Sequence, residues 1–242
     1  LHCWGGDWYV FKNLAEELSN NFNVICPDLH ISDPNGKDQS SIVSLANKVE
    51  ALLEYLEVEK INILGWSLGG LIGLQIVRNN LFALNKMIIY EASPKIITDE
   101  SWEHGIKEFS DEANKDFIYM CKNYWNSFSR LVLDTYFSEY NSNGEDLKKL
   151  FFPNFSQNSF QELAEAWQSA ADSDYRQDCK SLKAKTLILF GAHSKVYSNH
   201  VSNWLLDNIK GSQKFIFLQS GHSPHLEEAD CFYRTINDFL CN

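Results

Sequence analysis

The chain of 242 residues contains no apolar run approaching the roughly 18 residues that a membrane-crossing helix needs, so a membrane partner is not expected. It also lacks basic charge: 21 Lys and Arg stand against 32 Asp and Glu, a net charge of −11. Such a chain repels phosphate backbones, which excludes a general nucleic-acid binder. None of the six cysteines (Cys3, Cys26, Cys121, Cys179, Cys231, Cys241) forms a C-x-x-C pair. That spacing argues against a zinc ribbon or a disulfide scaffold and predicts a reducing, cytoplasmic location. No secretory leader, internal repeat or low-complexity linker is visible, although the chain opens at Leu1 rather than at Met. What remains is an ordinary globular composition, 44% hydrophobic and 22% charged, long enough to bury a sizeable core.

Short apolar runs alternate with amphipathic stretches. Residues 23–27 (NVICP), 60–65 (KINILG), 86–90 (KMIIY), 186–190 (TLILF) and 214–218 (KFIFL) read as strands. Helices are predicted over 40–56, where Ile42, Leu45, Val49, Leu52, Leu53 and Leu56 recur at helical spacing, and over 69–79, 199–209 and 229–239. This rhythm implies a parallel sheet flanked by helices, an α/β fold. It stops between residues 99 and 174, a stretch that reads as helix and loop and holds 15 of the 33 aromatic side chains. The expected organisation is a core of residues 1–95 and 175–242 with a helical lid, 96–174, inserted between two strands. An insertion at the carboxyl edge of a parallel sheet lies over the place where such sheets bind ligands.

Gly65-Trp66-Ser67-Leu68-Gly69 matches G-x-S-x-G between a predicted strand and a predicted helix. The turn is tight enough to demand small flanking residues, and it lifts the serine hydroxyl above the sheet. A hydroxyl needs a base to become a nucleophile. His222, between the last strand and the last helix, is the candidate, in the chain order serine, acid, histidine. His225 is expected to pack beneath that loop. A metal reading of His222 with His225 finds no carboxylate or cysteine at ligand spacing, so neither metal nor cofactor is expected.

His2-Cys3-Trp4-Gly5-Gly6, the elbow Gly65–Gly70 and the tail Gly221-His222-Ser223-Pro224-His225-Leu226-Glu227-Glu228 together resemble the α/β-hydrolase superfamily. Within it they look closest to the small-ester branch that includes the pimeloyl-carrier-protein methyl esterases. The resemblance covers residues 1–95 and 172–242, and Asp174-Tyr175-Arg176 looks like that group's junction between lid and sheet. It implies an α/β-hydrolase fold and an oxyanion hole made by the backbone amides of Trp4 and Leu68. Three departures stand out. Cys3 replaces the usual glycine after His2. The chain opens inside the first loop, as a piece of a longer protein would. Ser194 occupies the position of the family's commonest acid. Glu91, just after the strand 86–90, replaces that acid in this reading, since haloalkane dehalogenases and some other members place theirs after the same strand.

The expected activity is serine hydrolysis of a small or medium carboxylic ester through Ser67, His222 and Glu91. A pimeloyl-carrier-protein methyl esterase, as the resemblance implies, a lactonase, an amidase, a cofactor-free dioxygenase and a slow, receptor-like ligand-binding protein on the same fold are the alternatives. Dehalogenation and epoxide hydrolysis are out, because both need a carboxylate at position 67. Trp66, Trp102 and Trp125 are the candidate substrate-binding residues. Residues 99–174 carry 15 acidic and 6 basic side chains, a balance of −9. So acidic a lid repels an acidic acyl-carrier protein. The expected partner is therefore a free small-molecule ester and not a carrier-linked one.

Overall fold

The computed structural model describes residues 1–29, 40–156 and 159–242. Helix α1 (Lys12–Leu18) precedes α2 (Ile42–Tyr55), and the alternation then runs β1 (Lys60–Trp66), α3 (Leu68–Asn79), β2 (Ala83–Tyr90). Three helices follow, α4 (Asp111–Leu133), α5 (Gly144–Ser156) and α6 (Phe160–Ala171). The alternation resumes with α7 (Arg176–Ser181), β3 (Lys185–Gly191), α8 (Asn199–Asn208), β4 (Gln213–Phe217), α9 (Pro224–Glu227) and α10 (Ala229–Cys241).

The described strands form one sheet in the order β1-β2-β3-β4, with every pair parallel. All four carboxyl ends therefore open on the same edge, where parallel sheets bind ligands. Central strands covered on both faces read as continuous apolar runs. Met87–Tyr90 and Thr186–Gly191 are accordingly buried throughout. Helix α2 starts where the Ser41 hydroxyl accepts the Ser44 N–H (3.1 Å), and it buries Ile42, Leu45, Ala46, Val49 and Leu53 along one face. Helix α3 packs on β1, and α2 packs on α3. Helix α8 covers β3, and α1 lies against α10, which buries Phe232, Ile236 and Phe239.

Residues 23–27 are not a strand; they carry no regular structure. Their β-branched composition suits a strand, but a strand exists only through a hydrogen-bonded neighbour. A groove of about 420 Å³ separates this segment from β1. The bonds on that flank of β1 come instead from Leu1, whose N–H donates to Leu64 O (2.8 Å) and whose carbonyl accepts the Trp66 N–H (3.0 Å).

Helix α4 packs on both α5 and α6, around aromatic rings. Trp4, from the first loop, reaches into this set: its ring centroid lies 5.4 Å from Phe117, 5.7 Å from Trp125 and 5.3 Å from Trp167. Its indole N–H donates to Leu163 O (2.8 Å), satisfying the one polar atom of a buried side chain. Among the described residues, no helix is long and apolar enough to cross a membrane.

Candidate active site

Each strand of the sheet delivers one component at its carboxyl end. After β1 comes Ser67, in a backbone conformation (φ 55°, ψ −115°) that L-residues rarely adopt. Non-glycine residues at positive φ cost of order 1 kcal/mol or more and persist only where surrounding structure holds them. Here the Ser67 N–H donates to Tyr90 O (2.9 Å), and the Ser67 carbonyl accepts the Gly70 N–H (2.8 Å). The turn can close because its neighbours lack side chains: a Cβ on Gly65 would stand 2.4 Å from the Gly69 carbonyl oxygen. Ser67 itself is half-buried while Trp66 and Leu68 are buried, so its side chain is the one the turn presents.

After β2 comes Glu91, fully buried and also at positive φ (46°). Its Oε1 accepts the Gly191 N–H (2.6 Å) at the end of β3. Its Oε2 accepts the Ser194 hydroxyl (2.8 Å) and faces His222 Nδ1 at 2.8 Å. Ser194, at the position where the resemblance places the commonest acid, thus supplies a donor to the Glu91 carboxylate. An ionised carboxylate only accepts, so Nδ1 carries the ring proton and Nε2 keeps a free lone pair.

His222 sits in the loop after β4 and is 1% exposed. Its ring is flanked by Tyr136 and Tyr197, at centroid distances of 5.3 and 5.9 Å, and the backbone N–H of His222 donates to Tyr136 O (3.1 Å). Two carboxylates that the sequence reading did not single out shape this loop. Glu227 accepts the N–H groups of Ser138 (2.7 Å), Gly221 (2.8 Å) and Ser223 (3.3 Å). Glu228 accepts the Ser220 hydroxyl (2.5 Å) and the Gln219 N–H (3.0 Å). Burial pushes the Glu227 carboxyl up to about 7, against the pull of its three N–H donors. Beneath the loop lies His225, whose Nδ1 is 2.7 Å from the Tyr90 hydroxyl and whose pKa burial lowers to about 3. It is a neutral core ring stacked edge-on to Trp66.

Ser67, His222, Trp4 and Leu68 line one cavity of about 250 Å³, at the small end of ligand sites. The Leu68 amide is the first N–H of α3, which has no acceptor within the helix. The first loop is fixed by His2, whose Nδ1 lies 2.9 Å from Cys3 O while Nε2 accepts the Leu29 N–H (3.0 Å), and by Tyr136, whose hydroxyl donates to Trp4 O (2.6 Å). Burial pushes the Cys3 thiol up, leaving it an inert, space-filling group. The far wall, from the inserted helices and the loops around them, is largely apolar and includes Phe109, Phe117 and Trp167.

Three candidates lie outside this cavity. Trp66 is wholly buried under the elbow, stacked on Tyr90 (5.7 Å), with its indole N–H on His222 O (2.8 Å). The residue before an elbow serine points away from it, because strand side chains alternate. Trp102 packs edge-on to Trp204 (5.0 Å) beside a separate polar cleft, its N–H on Lys95 O (2.8 Å). Trp125 stands behind Trp4, against Phe155 (5.4 Å). The pocket aromatics are instead Trp4, Phe109, Phe117, Tyr136, Trp167 and Tyr197. Among the described residues, no group of three or more His, Cys, Asp and Glu side chains could hold a metal ion.

Comparison with known proteins identifies the family and the fold. Residues 1–229 match the family model described as alpha/beta hydrolase fold. The chain is 27% identical over 248 residues to the pimeloyl-[acyl-carrier protein] methyl ester esterase of Vibrio vulnificus, covering 99% of this chain and 92% of that one. With the enzyme of that name from Chromobacterium violaceum the identity is 25%, at the same coverage. Among solved structures, an esterase from Exiguobacterium antarcticum superposes with a TM-score of 0.90 at 21% identity, covering 100% of this chain and 90% of that chain. The enol-lactonase of Burkholderia xenovorans gives 0.86 at 20% identity, covering 99% and 88%. By its family match and by its fold, the chain belongs to the alpha/beta hydrolase fold family.

Proposed function

We propose that the protein is a serine esterase that cleaves a free carboxylic ester of small or medium size. The observation that carries this reading is the convergence of a strained Ser67 elbow and a buried His222–Glu91 pair on one largely apolar cavity. Ser67 Oγ attacks the ester carbonyl while His222 Nε2 takes its proton. Glu91 holds the ring with Nδ1 protonated and stabilises the imidazolium that forms. The amides of Trp4 and Leu68 receive the oxyanion. Collapse breaks the ester C–O bond, His222 returns the proton to the departing alcohol, and water then releases the acid from Ser67 by the same steps. Residues 96–174 act as the lid that selects the substrate.

Ser67→Ala is expected to cost several orders of magnitude in p-nitrophenyl acetate hydrolysis with the fold intact. Near-full activity would refute the assignment.

A second reading, cleavage of a carrier-linked methyl ester, is favoured by the names of the relatives above, matched over 99% of this chain. Against it stands the balance of −9 across residues 99–174, which repels an acidic carrier once it comes within the screening length. A methyl ester on carrier protein, competed against the same acyl group as a simple ester, separates the two. Preference for the simple ester supports our reading. Preference for the carrier form, weakening as salt rises, supports the second.

A further inference from the structure

Lys107 and Lys195 stand on the rim of the cavity that holds Ser67 and His222. They lie on two segments that pair: Ile106 bridges Tyr197, and the Lys107 N–H donates to Val196 O (3.0 Å). Both side chains are exposed. Each ammonium reaches only a backbone carbonyl, Lys107 that of Ser194 (2.6 Å) and Lys195 that of Asp134 (3.4 Å). The Asp134 carboxylate is taken by Lys148 (2.8 Å). Among the described residues, neither rim lysine has a carboxylate partner; exposed lysines elsewhere, Lys210 among them, share this, and what sets Lys107 and Lys195 apart is their place on the cavity.

Two cations without a protein anion, in a chain of net charge −11, are thus concentrated beside the nucleophile. The wall near them (Val132, Val196, Phe109) is apolar and focuses their field into the cavity. The ester is neutral and its oxyanion is met by the amides of Trp4 and Leu68, so charge on the rim is placed for another part of the substrate. Resting on the esterase reading, we infer that the preferred substrate is a half-ester, a dicarboxylic acid esterified at one end. Its ester lies at Ser67 and its free carboxylate at Lys107 and Lys195. An anion here could also be the phosphate of a carrier protein's prosthetic arm, and the test separates the two.

The measurement is the ratio of kcat/KM for monomethyl esters of dicarboxylic acids, over increasing chain length, to that for methyl esters of the matching monocarboxylic acids. At low salt the ratio should reach about five- to tenfold at the chain length that spans the cavity, carried mainly in KM, and shrink with added salt. Lys107→Met with Lys195→Met should bring it close to one, the paired arginine variant should keep it, and Lys210→Met, an exposed lysine elsewhere, should not move it. A native ratio of one or less, or a ratio unaffected in the double methionine variant, overturns the inference. So does a carrier-linked ester that outcompetes the half-ester and alone responds to the double variant. A fluorophosphonate label tells this failure from that of the underlying reading. If Ser67 is labelled and the ratio is flat, only the anion site is lost; if Ser67 stays unlabelled while esters are still cleaved, the esterase reading itself is wrong.

Discussion

Glu91→Gln is the perturbation whose effect can be worked out most fully. The amide has the shape of the carboxylate but only one acceptor oxygen. Glu91 Oε1 accepts the Gly191 N–H at 2.6 Å, so the glutamine oxygen is held there and its NH2 turns to the place of Oε2. That place faces the Ser194 hydroxyl and His222 Nδ1, both at 2.8 Å. The hydroxyl can rotate to accept. His222 cannot meet an NH2 with a protonated Nδ1, so the ring proton moves to Nε2, the nitrogen that must receive the Ser67 proton. The wrong tautomer in an unchanged geometry costs about 10⁴-fold in kcat, or about 5 kcal/mol of barrier. KM should hardly move. Ser194 Oγ touches the same oxygen as His222 does, and aspartate is one bond longer than serine. Adding Ser194→Asp to Glu91→Gln should therefore restore part of the rate. Steady-state hydrolysis of p-nitrophenyl acetate, with near-UV circular dichroism to confirm the fold, reads both variants. Asp178→Asn and Asp207→Asn serve as controls and should retain turnover. A Glu91→Gln enzyme within about tenfold of the native rate would refute the reasoning and move the role to another group.

Glu227 should make stability depend on pH. Its carboxyl is raised by burial to about 7, above the 4.5 of the unfolded chain, so between those values the folded state binds the proton more tightly and stability falls as pH rises, by at most about 3 kcal/mol. Glu227→Gln should abolish that slope in urea midpoints across this window; an unchanged slope would show that another group is responsible. Gly70→Ala should destabilise by about 1–3 kcal/mol, because its Cβ would stand 2.6 Å from that of Ala92, and Ala92→Gly should relieve it. Thermal melts that show no cost, or no relief, would contradict the packing. Trp167 stacks on Phe117 (4.0 Å) in the cavity wall, so Trp167→Ala should shift the acyl-length optimum of hydrolysis upward at a stability cost of about 3 kcal/mol. An unmoved optimum would take this ring out of substrate selection.

The sheet was legible because its strands are continuous apolar runs set between helices of clear period, and β1 to β4 fall within three residues of the predicted spans at each end. Residues 23–27 carry the same composition without being a strand, since pairing is a property of two segments and composition belongs to one. The placement of Ser67 at a strand-to-helix turn, of Glu91 at a strand end and of His222 in the loop after the last strand was legible from the residues around them. The role of Ser194 was not, because its bond to Glu91 spans 103 residues and depends on how the loop after β3 folds back. The tryptophans failed for a related reason. Aromatic density in residues 99–174 marks a packed insertion, but which rings face the cavity is decided by helix rotation and by Trp4, which arrives from the other end of the chain. That Lys107 and Lys195 have, among the described residues, no carboxylate partner and stand on the cavity rim leaves no trace in sequence, since nothing there distinguishes them from other lysines.

The most direct test of the central claim is to trap the acyl-enzyme. Rapid mixing with a p-nitrophenyl ester, acid quench and peptide mass analysis should find a burst of about one p-nitrophenol per protein, with the acyl mass on the peptide that contains Ser67. Both should vanish in Ser67→Ala. Turnover with no adduct on Ser67, or an adduct carried by another residue, would contradict the account.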